Sequence, residues 1–142
     1  RMRFDMAVNE MVLELYKTKK ITVRGKTNQR PFLHLKDAVN AYKLVLNESK
    51  EKISGQIFNV GTDEQNYKIG DLAEEVAKSI DVNCTLELGD NKDHRSYFTS
   101  FKKIHDVFAG TLIPEYSIVP QHITKYKLGL FVLALQVQPY LW

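Results

Sequence analysis

The sequence predicts an α/β fold. Amphipathic runs with the spacing of helices alternate along the chain with short runs rich in β-branched and aromatic residues, and this alternation is typical of α/β proteins. The chain has 142 residues, of which 44% are hydrophobic and 26% are charged. This length fits one domain, and this composition is that of a globular protein.

The first part of the chain predicts a helix followed by two strands. Residues 3–18 place their apolar side chains on one helical face. Residues 21–24 form a β-branched strand, residues 25–29 form a polar turn, and residues 32–35 form a second strand. His34 alternates with apolar neighbours in this strand, and we expect it to pack there.

The middle of the chain predicts a second helix, a loop and a third strand. Residues 38–46 carry the apolar face of the helix, and Asp37 stands where a first-turn acid or a cap would stabilise it. A charged loop is expected at residues 47–54. A strand closed by a glycine is expected at residues 56–61.

The next elements are a helix at residues 69–80, which is the most clearly amphipathic of the chain, and a weakly alternating strand at residues 84–88. A short strand at residues 95–99 and a short helix at residues 101–108 follow. Together with the earlier elements, they define one region of alternating strands and helices that we place at residues 1–112.

Charge and cysteine content exclude several classes of function. The formal net charge is +3, and the cations are spread along the chain, so we expect no nucleic-acid partner, whereas a small anionic ligand would suit this charge. The single cysteine, Cys84, excludes an internal disulfide and fits a reducing, cytoplasmic location. The cysteine and the histidines show no ligand spacing, so no metal site is expected.

Arg30 is the first candidate binding residue. Pro31 restricts the backbone of Arg30 to an extended conformation, so the guanidinium projects from a defined place. The planar fork of an arginine matches two oxygens of a phosphate. An ion pair on the protein surface is the alternative interpretation.

The sequence shows no cofactor loop and no convincing catalytic group. Its glycines, at positions 25, 55, 61, 70, 89, 110 and 129, do not form the G-x-G-x-x-G pattern of dinucleotide-binding loops. Tyr16 and Lys20 have the spacing of Tyr-x-x-x-Lys, but this pair is a common accident in a lysine-rich chain. Tyr16 also lies on the apolar face of its helix, which suits packing. We therefore expect neither catalytic nor cofactor-binding residues in these 142 positions.

Three ordered motifs resemble one protein family. They are Arg30-Pro31-Phe32-Leu33-His34-Leu35-Lys36-Asp37, Gln56-Ile57-Phe58-Asn59-Val60-Gly61 and Tyr67-Lys68-Ile69-Gly70-Asp71-Leu72-Ala73. In order and spacing they are similar to the carboxyl-terminal part of the extended short-chain dehydrogenase/reductases, and more narrowly of the NAD-dependent sugar-nucleotide epimerase/dehydratases. The stretches Arg1-Met2-Arg3-Phe4-Asp5 and Asp93-His94-Arg95-Ser96-Tyr97 are similar to one branch of that family.

The resemblance implies that the two halves of the whole enzyme have different functions. In this family an N-terminal Rossmann half binds NAD or NADP and carries the catalytic Tyr-x-x-x-Lys, whereas the C-terminal half binds the nucleoside diphosphate of the sugar. The chain resembles only the second half, a small mixed α/β substrate-binding region. The resemblance thus implies that the cofactor and the catalytic groups belong to a Rossmann half outside these residues, and that this chain alone binds no cofactor.

The implied partners are a nucleoside-diphosphate sugar, the missing Rossmann half and a second copy of the chain. A non-catalytic binding or oligomerisation module is the alternative function. It follows from the helix at residues 38–46, which would lose a neighbour without the Rossmann half and could pair with another protein.

The resemblance also implies which residues bind the ligand. Arg30 matches the family arginine that contacts the diphosphate. The backbone of Ile21-Thr22-Val23 matches the strand that runs along the base, although an ordinary edge strand is the alternative. Arg95 lies in the second phosphate-binding region, where either Arg95 or Lys92 would supply the charge.

Residues 113–142 form a tail that departs from the family pattern. Residues 128–135 are apolar throughout, so they lack the one-sided pattern of a surface helix. This run is either a terminal helix buried against a partner or a segment altered from the family pattern. The longest apolar run, at residues 128–137, has about half the length that a bilayer crossing needs, so no membrane partner is expected.

Overall fold

The described part of the chain confirms the α/β class. The computed structural model describes residues 6–79, 83–89, 95–108 and 134–136. In chain order its elements are α1 (Ala7–Thr18), β1 (Lys20–Arg24), β2 (Gln29–His34), α2 (Leu35–Asn47), α3 (Lys50–Ile53), a 3₁₀ turn (Asp63–Gln65), β3 (Asn66–Lys68), α4 (Ile69–Ser79), β4 (Thr85–Gly89), α5 (Lys102–Val107) and β5 (Ala134–Gln136).

Two small sheets organise these elements. β1 and β4 are parallel, with Lys20 opposite Thr85 and Arg24 opposite Gly89. β2 lies between β3 and β5 and is antiparallel to both. Parallel strands need a long crossover, and the chain from β2 to α4 provides it.

The first core cluster joins α1 and α4 to the sheet of β1 and β4. Its buried side chains are Val8, Met11, Val12, Leu15, Ile21, Val23, Phe32, Leu72, Ala73, Val76 and Ala77. The helical members recur every three or four residues, and β1 buries alternate residues, which are the two periods that the sequence displays. Removal of this apolar surface from water is the main force that holds these elements together.

The second core cluster joins α2 to α5. It consists of Ala41, Phe101, Ile104 and Phe108, and the Phe58 ring meets Phe108 edge-on with 5.7 Å between ring centroids. The cluster is smaller than the first. It therefore depends more on the polar contacts that hold the loops around it.

The start of α4 is tied to the turn between β1 and β2. The Ile69 N–H donates to the Asn28 carbonyl at 3.0 Å, and the Gly70 N–H donates to the Lys26 carbonyl at 2.9 Å. These carbonyls satisfy donors that would otherwise lack a partner at a helix start. Gly70 permits the close approach, because a Cβ there would lie 3.1 Å from both Cβ and the carbonyl oxygen of Lys26.

The predicted strand at residues 56–61 is wrong. These residues form no ladder with any other segment that the structure describes. Side chains bind their backbone instead, since Lys103 Nζ donates to the Ile57 carbonyl at 2.9 Å. A strand needs a neighbouring strand to pair with, in addition to a composition rich in β-branched and aromatic residues. This stretch has the composition but no neighbouring strand among the described residues.

The junction between β2 and α2 also differs from the prediction. The strand ends at His34 and the helix begins at Leu35, with no residue between them. His34, expected to pack in the strand, caps the helix, because its Nδ1 accepts a hydrogen bond from the Lys36 N–H at 3.1 Å. Asp37 lies in the first turn as predicted, and it is buried, but it is not the cap.

Other boundaries differ by a few residues. α1 begins at Ala7, and the predicted helical residues 3–5 lie outside the described part of the chain. Residues 50–53 form the short helix α3 within the predicted loop. Residues 95–99 form no strand, because side chains rather than a neighbouring strand bind their backbone.

Three residues of the predicted tail, Ala134–Gln136, lie within the described part. They form β5, which pairs with residues 32–34 of β2. The tail is thus extended and not helical at these three positions, because the edge of β2 opposite β3 offers a pairing partner. The other positions of the predicted tail, at residues 113–133 and 137–142, lie outside the described residues, and the boundary at residue 112 stays a prediction.

Candidate anion-binding site

Arg30 lies near the start of β2, where this strand pairs with β3. It stands opposite Tyr67 in the register of the two strands, and its side chain is half-buried. Its Nη1 donates to the Gln29 carbonyl at 2.8 Å, and its Cζ lies 4.8 Å from the centroid of the Tyr97 ring. A guanidinium that rests on an aromatic face can still donate hydrogen bonds in its own plane, which is the direction that a bound anion uses.

Tyr97 reaches Arg30 because the segment before α5 is bound to Gln29. The Gln29 N–H donates to Ser96 Oγ at 2.9 Å. The Tyr97 N–H donates to the Gln29 carbonyl at 3.3 Å, and the same oxygen accepts the bond from the Arg30 side chain. The backbone of one residue therefore sets the position of both the ring and the guanidinium.

Asn66 holds the same segment two residues further on. The Thr99 N–H donates to Asn66 Oδ1 at 2.9 Å, and Asn66 Nδ2 donates to the Thr99 carbonyl at 3.0 Å. Asp63 Oδ1 accepts a bond from the Phe101 N–H at 3.0 Å. Side chains from the 3₁₀ turn and from β3 thus take the place of a neighbouring strand.

Tyr67 contributes an apolar neighbour rather than a charge. Its ring meets Phe32 edge-on, with centroids 6.3 Å apart and ring planes at 82°. Desolvation by burial, and to a smaller extent the Glu75 carboxylate, raises the pKa of the Tyr67 phenol. The phenol therefore stays neutral at physiological pH and does not compete with an anion for Arg30.

Arg95 lies one residue before Ser96 and is exposed. The hydrogen bond between Ser96 and Gln29 brings this part of the chain to the start of β2, so Arg30 and Arg95 belong to segments that touch. Lys92, the alternative cation, lies outside the described residues. A phosphate-binding role for Arg95 stays a prediction.

The predicted base-binding stretch, Ile21-Thr22-Val23, lies in β1 and thus in the other sheet. The Ile21 and Val23 side chains are buried in the first core cluster, whereas Thr22 is exposed. The Thr22 N–H donates to Glu14 Oε2 at 3.3 Å, so a carboxylate of α1 occupies a donor on this strand. A base that bound this N–H would have to displace Glu14, and the role of the stretch stays a prediction.

Tyr16 and Lys20 do not face each other on one helix. α1 ends before Lys19, whose φ of 58° turns the chain into β1. Lys20 Nζ then forms an ion pair with Glu87 Oε1 at 2.6 Å. The expectation that Tyr16 packs on the apolar face is wrong. Its side chain is 59% exposed in the last turn of α1, where Lys19 Nζ lies 5.8 Å from the centroid of its ring.

The described strand-to-helix junctions do not fit a dinucleotide cofactor. Such a cofactor needs N–H groups at a helix start that follows a glycine-rich turn. α2 follows β2 directly, and His34 takes the Lys36 N–H. α4 follows β3 directly, and carbonyls of the turn after β1 take the N–H groups of Ile69 and Gly70. The protein itself occupies both helix starts.

Sequence reasoning missed Ser96, Tyr97 and Glu14 as members of these sites. Ser96 binds Gln29, which is 67 positions away, whereas Glu14 binds Thr22, which is eight positions away. The similarity of residues 93–97 to one branch of the family is the signal that could have found Ser96 and Tyr97. Nothing in the sequence points to Glu14.

The helices of the described segments all lack the combination of length and hydrophobicity that crossing a membrane requires. Within the same segments, no three side chains of histidine, cysteine, aspartate or glutamate lie close enough together to hold a metal ion.

Over most of its length the chain is similar to a solved structure. That structure is described as RMD from Pseudomonas aeruginosa complexed with NADPH, and the two folds agree with a TM-score of 0.65 at 20% sequence identity. The similarity covers 82% of this chain but only 39% of the RMD chain. The chain thus spans less than half the length of this relative, and the likeness establishes the fold.

The family model that matches the chain is that of the NAD dependent epimerase/dehydratase family. The match covers residues 3–61, which include β1, β2 and Arg30. Residues 3–61 therefore match the NAD dependent epimerase/dehydratase family, and the likeness to RMD extends the agreement in fold over most of the chain.

Proposed function

We propose that this chain provides the diphosphate-binding part of an enzyme that uses NAD or NADP to modify nucleoside-diphosphate sugars. The observation that carries the proposal is the environment of Arg30. Its guanidinium is half-buried, rests on the Tyr97 ring and is anchored to the Gln29 carbonyl. The match of residues 3–61 to the NAD dependent epimerase/dehydratase family supports nicotinamide-dependent chemistry in the whole enzyme.

The contacts of Arg30 favour an anionic ligand over the alternative of a surface ion pair. Among the residues that the structure describes, no carboxylate forms an ion pair with Arg30. The bond to Gln29 uses one of the five N–H groups of the guanidinium. The others suffice for the two-oxygen contact by which arginine recognises phosphate.

The proposed reaction class is transient oxidation of the sugar at C4, followed by epimerisation, dehydration or reduction. In this arrangement the chain contributes binding and orientation. Arg30, together with a charge from Arg95 or Lys92, holds the diphosphate so that the sugar is presented to catalytic groups outside these residues. A diphosphate held in a fixed position accelerates the reaction, because the sugar loses its translational and rotational freedom on binding and not in the chemical step.

Titration of the 142-residue protein with ADP, CDP, GDP and UDP tests the proposal. We expect at least one of the four to bind. Arg30→Ala should weaken that binding by roughly 1.5–3 kcal/mol, the scale of a hydrogen bond to a charged group. This range corresponds to roughly a 10- to 150-fold rise in the dissociation constant.

Two further variants show whether the geometry or only the charge of Arg30 matters. Arg30→Lys retains the charge but loses the fork, so its affinity should fall between those of the wild type and Arg30→Ala. Lys43→Ala removes an exposed cation from α2 and serves as the matched control, with unchanged affinity expected. Equal affinity in the wild type and Arg30→Ala would contradict the assignment.

An exposed apolar stripe on α2 favours a second candidate function. The stripe consists of Leu35, Val39, Tyr42 and Leu46, which share one helical face. Tyr42 is 73% exposed and Leu46 is 81% exposed, whereas Ala38 and Ala41 on the adjoining face are buried. Contiguous apolar surface of this kind marks an interaction site. The second candidate is therefore a non-catalytic module that pairs through α2 with another copy of the chain.

Sedimentation equilibrium distinguishes this candidate from the first. Pairing through α2 predicts a dimer that Leu46→Glu converts into a monomer, because the substitution places a charge in the apolar stripe. Asn47→Glu adds the same charge to the adjacent exposed position on another face, and should leave the dimer intact. A wild-type protein that stays monomeric at all concentrations would exclude this candidate.

A further inference from the structure

Tyr97 and Arg30 form a unit that the chain assembles from its own residues. The Arg30 Cζ lies 4.8 Å from the centroid of the Tyr97 ring, which is within the range of a cation–π contact. The two side chains come from segments 67 positions apart, and the Gln29 backbone joins them by accepting from both the Tyr97 N–H and Arg30 Nη1. The contact therefore depends on the fold, which brings the two segments together at Gln29.

The backbone that carries the ring is anchored on both sides of Tyr97. Before it, Ser96 Oγ accepts the Gln29 N–H at 2.9 Å. After it, the Thr99 N–H and carbonyl form two hydrogen bonds with the Asn66 side chain. The half-buried ring thus rests on a segment that cannot withdraw without breaking these bonds.

We propose that Tyr97 is a positioning residue that holds the Arg30 fork in its diphosphate-binding orientation before the nucleotide arrives. This inference rests on the proposed function of Arg30. A free arginine side chain loses conformational entropy when a ligand immobilises it. The Tyr97 ring and the Gln29 carbonyl restrict Arg30 in advance, so binding forfeits less of this entropy. The ring is the part that matters, and the phenol oxygen is not required.

A double-mutant cycle tests this role, with whichever of ADP, CDP, GDP and UDP binds the wild type most tightly. Tyr97→Phe keeps the ring and should bind within twofold of the wild type. Tyr97→Leu removes the ring and should weaken binding roughly three- to tenfold, the range of a partly exposed cation–π contact. In an Arg30→Ala background, Tyr97→Leu should have no further effect. Nuclear magnetic resonance titrations can follow the weak affinities of these double variants.

A spectroscopic readout in the ligand-free protein separates positioning from a general effect on folding. The side-chain protons of Arg30 should be shifted upfield by the Tyr97 ring current in the wild type and in Tyr97→Phe. The shift should disappear in Tyr97→Leu while the resonances of β1 and β4 stay in place. If Tyr97→Leu does not fold, Tyr97→Gln provides a second variant that has a long side chain but no ring.

Three outcomes would overturn the inference. The first is unchanged affinity in Tyr97→Leu while Arg30→Ala binds weakly, which would leave the proposed function intact. The second is that Tyr97→Leu weakens nucleotide binding by the same factor in the wild type and in the Arg30→Ala background, which would mean that Tyr97 acts independently of Arg30. The third is a wild type that binds none of the four nucleotides, in which case the proposed function fails too, even if the ring-current shift is present.

Discussion

The two core clusters of this protein are held together by different means. The first is framed by a backbone ladder between β1 and β4, and it contains large side chains with no exposed surface, such as Leu15 and Leu72. The second lies beside residues 56–61 and 95–101, which form no ladder. Side chains hydrogen-bond to the backbone there in place of a strand, from Asn59, Asp63, Asn66, Lys103 and His105.

The difference determines how each cluster should respond to substitution. A ladder bond joins two backbones, so it persists whatever side chain is present, and the stability of the first cluster depends mainly on apolar burial. A bond from a side chain is lost with that side chain, and it leaves a backbone group without its partner. Single polar positions should therefore matter more around the second cluster, which also carries the segment that contacts Arg30.

The largest expected effect is that of Gly61→Ala in the second cluster. Gly61 has a φ of 147°, and a Cβ there would lie 2.9 Å from Cε1 of the buried Phe101 ring and 3.1 Å from Gln65 Oε1. Backbone strain and overpacking each cost about 1–3 kcal/mol. We expect the free energy of unfolding, measured with urea, to fall by roughly 2–5 kcal/mol.

Gly55→Ala is the matched control for Gly61→Ala. Gly55 also has a positive φ, of 68°, but a Cβ there would meet no atom within 4 Å. Only the left-handed backbone is then penalised, at about 1–2 kcal/mol. Hydrogen exchange adds a local readout, because Gly61→Ala should expose the amides of residues 97–108 before those of β1 and β4. Equal loss of protection in both regions would mean that the two clusters unfold as one unit.

A smaller decrease in the free energy of unfolding is expected for Asn66→Ala, which removes the amide that joins β3 to the segment before α5. The Thr99 N–H and carbonyl would lose their partner in a half-buried position. Because water can replace part of the lost bonding, we expect a destabilisation of about 1–2 kcal/mol. Asn47→Ala at the exposed end of α2 should change stability by less than about 0.5 kcal/mol, as surface substitutions usually do. Similar losses in the two variants would show that Asn66 does not replace a strand neighbour.

The sequence predicts the first cluster better than the second for a physical reason. In α1 the apolar residues recur with the helical period, and in β1 the buried Ile21 and Val23 alternate with the exposed Thr22. These local patterns follow burial, so they predict both elements without knowledge of the rest of the fold. Residues 56–61 have the composition of a strand, but whether they form one depends on a partner elsewhere in the fold. Local patterns carry no information on that partner, and the prediction therefore failed there.

The candidate site shows the same limit. Arg30 is identifiable from its residue type, from Pro31 and from the family resemblance. The contact between Arg30 and Tyr97 cannot be identified from the sequence, because it depends on a hydrogen bond between Gln29 and Ser96, which are 67 positions apart.

The smallest predicted effect concerns the pH dependence of the cap at the β2–α2 junction. His34 Nδ1 accepts the Lys36 N–H, which only a neutral imidazole can do. Burial lowers the pKa of His34 below its ordinary value of 6.5, Lys36 acts in the same direction, and the nearby Asp37 charge opposes them. As the pH falls below 6.5, the unfolded chain therefore binds a proton at His34 before the folded chain does, and stability decreases down to the lower pKa of the folded state.

The variant His34→Asn isolates this contribution, because asparagine caps a helix without titrating. Other histidines titrate in both proteins, so the difference between their pH profiles belongs to position 34. Between about pH 7.5 and pH 5 we expect the wild type to lose up to about 1 kcal/mol more than His34→Asn, the usual value of a helix cap. Parallel unfolding profiles in urea would show that the cap persists on protonation. Stability at this junction would then come from the direct pairing of β2 with its neighbours and not from the imidazole.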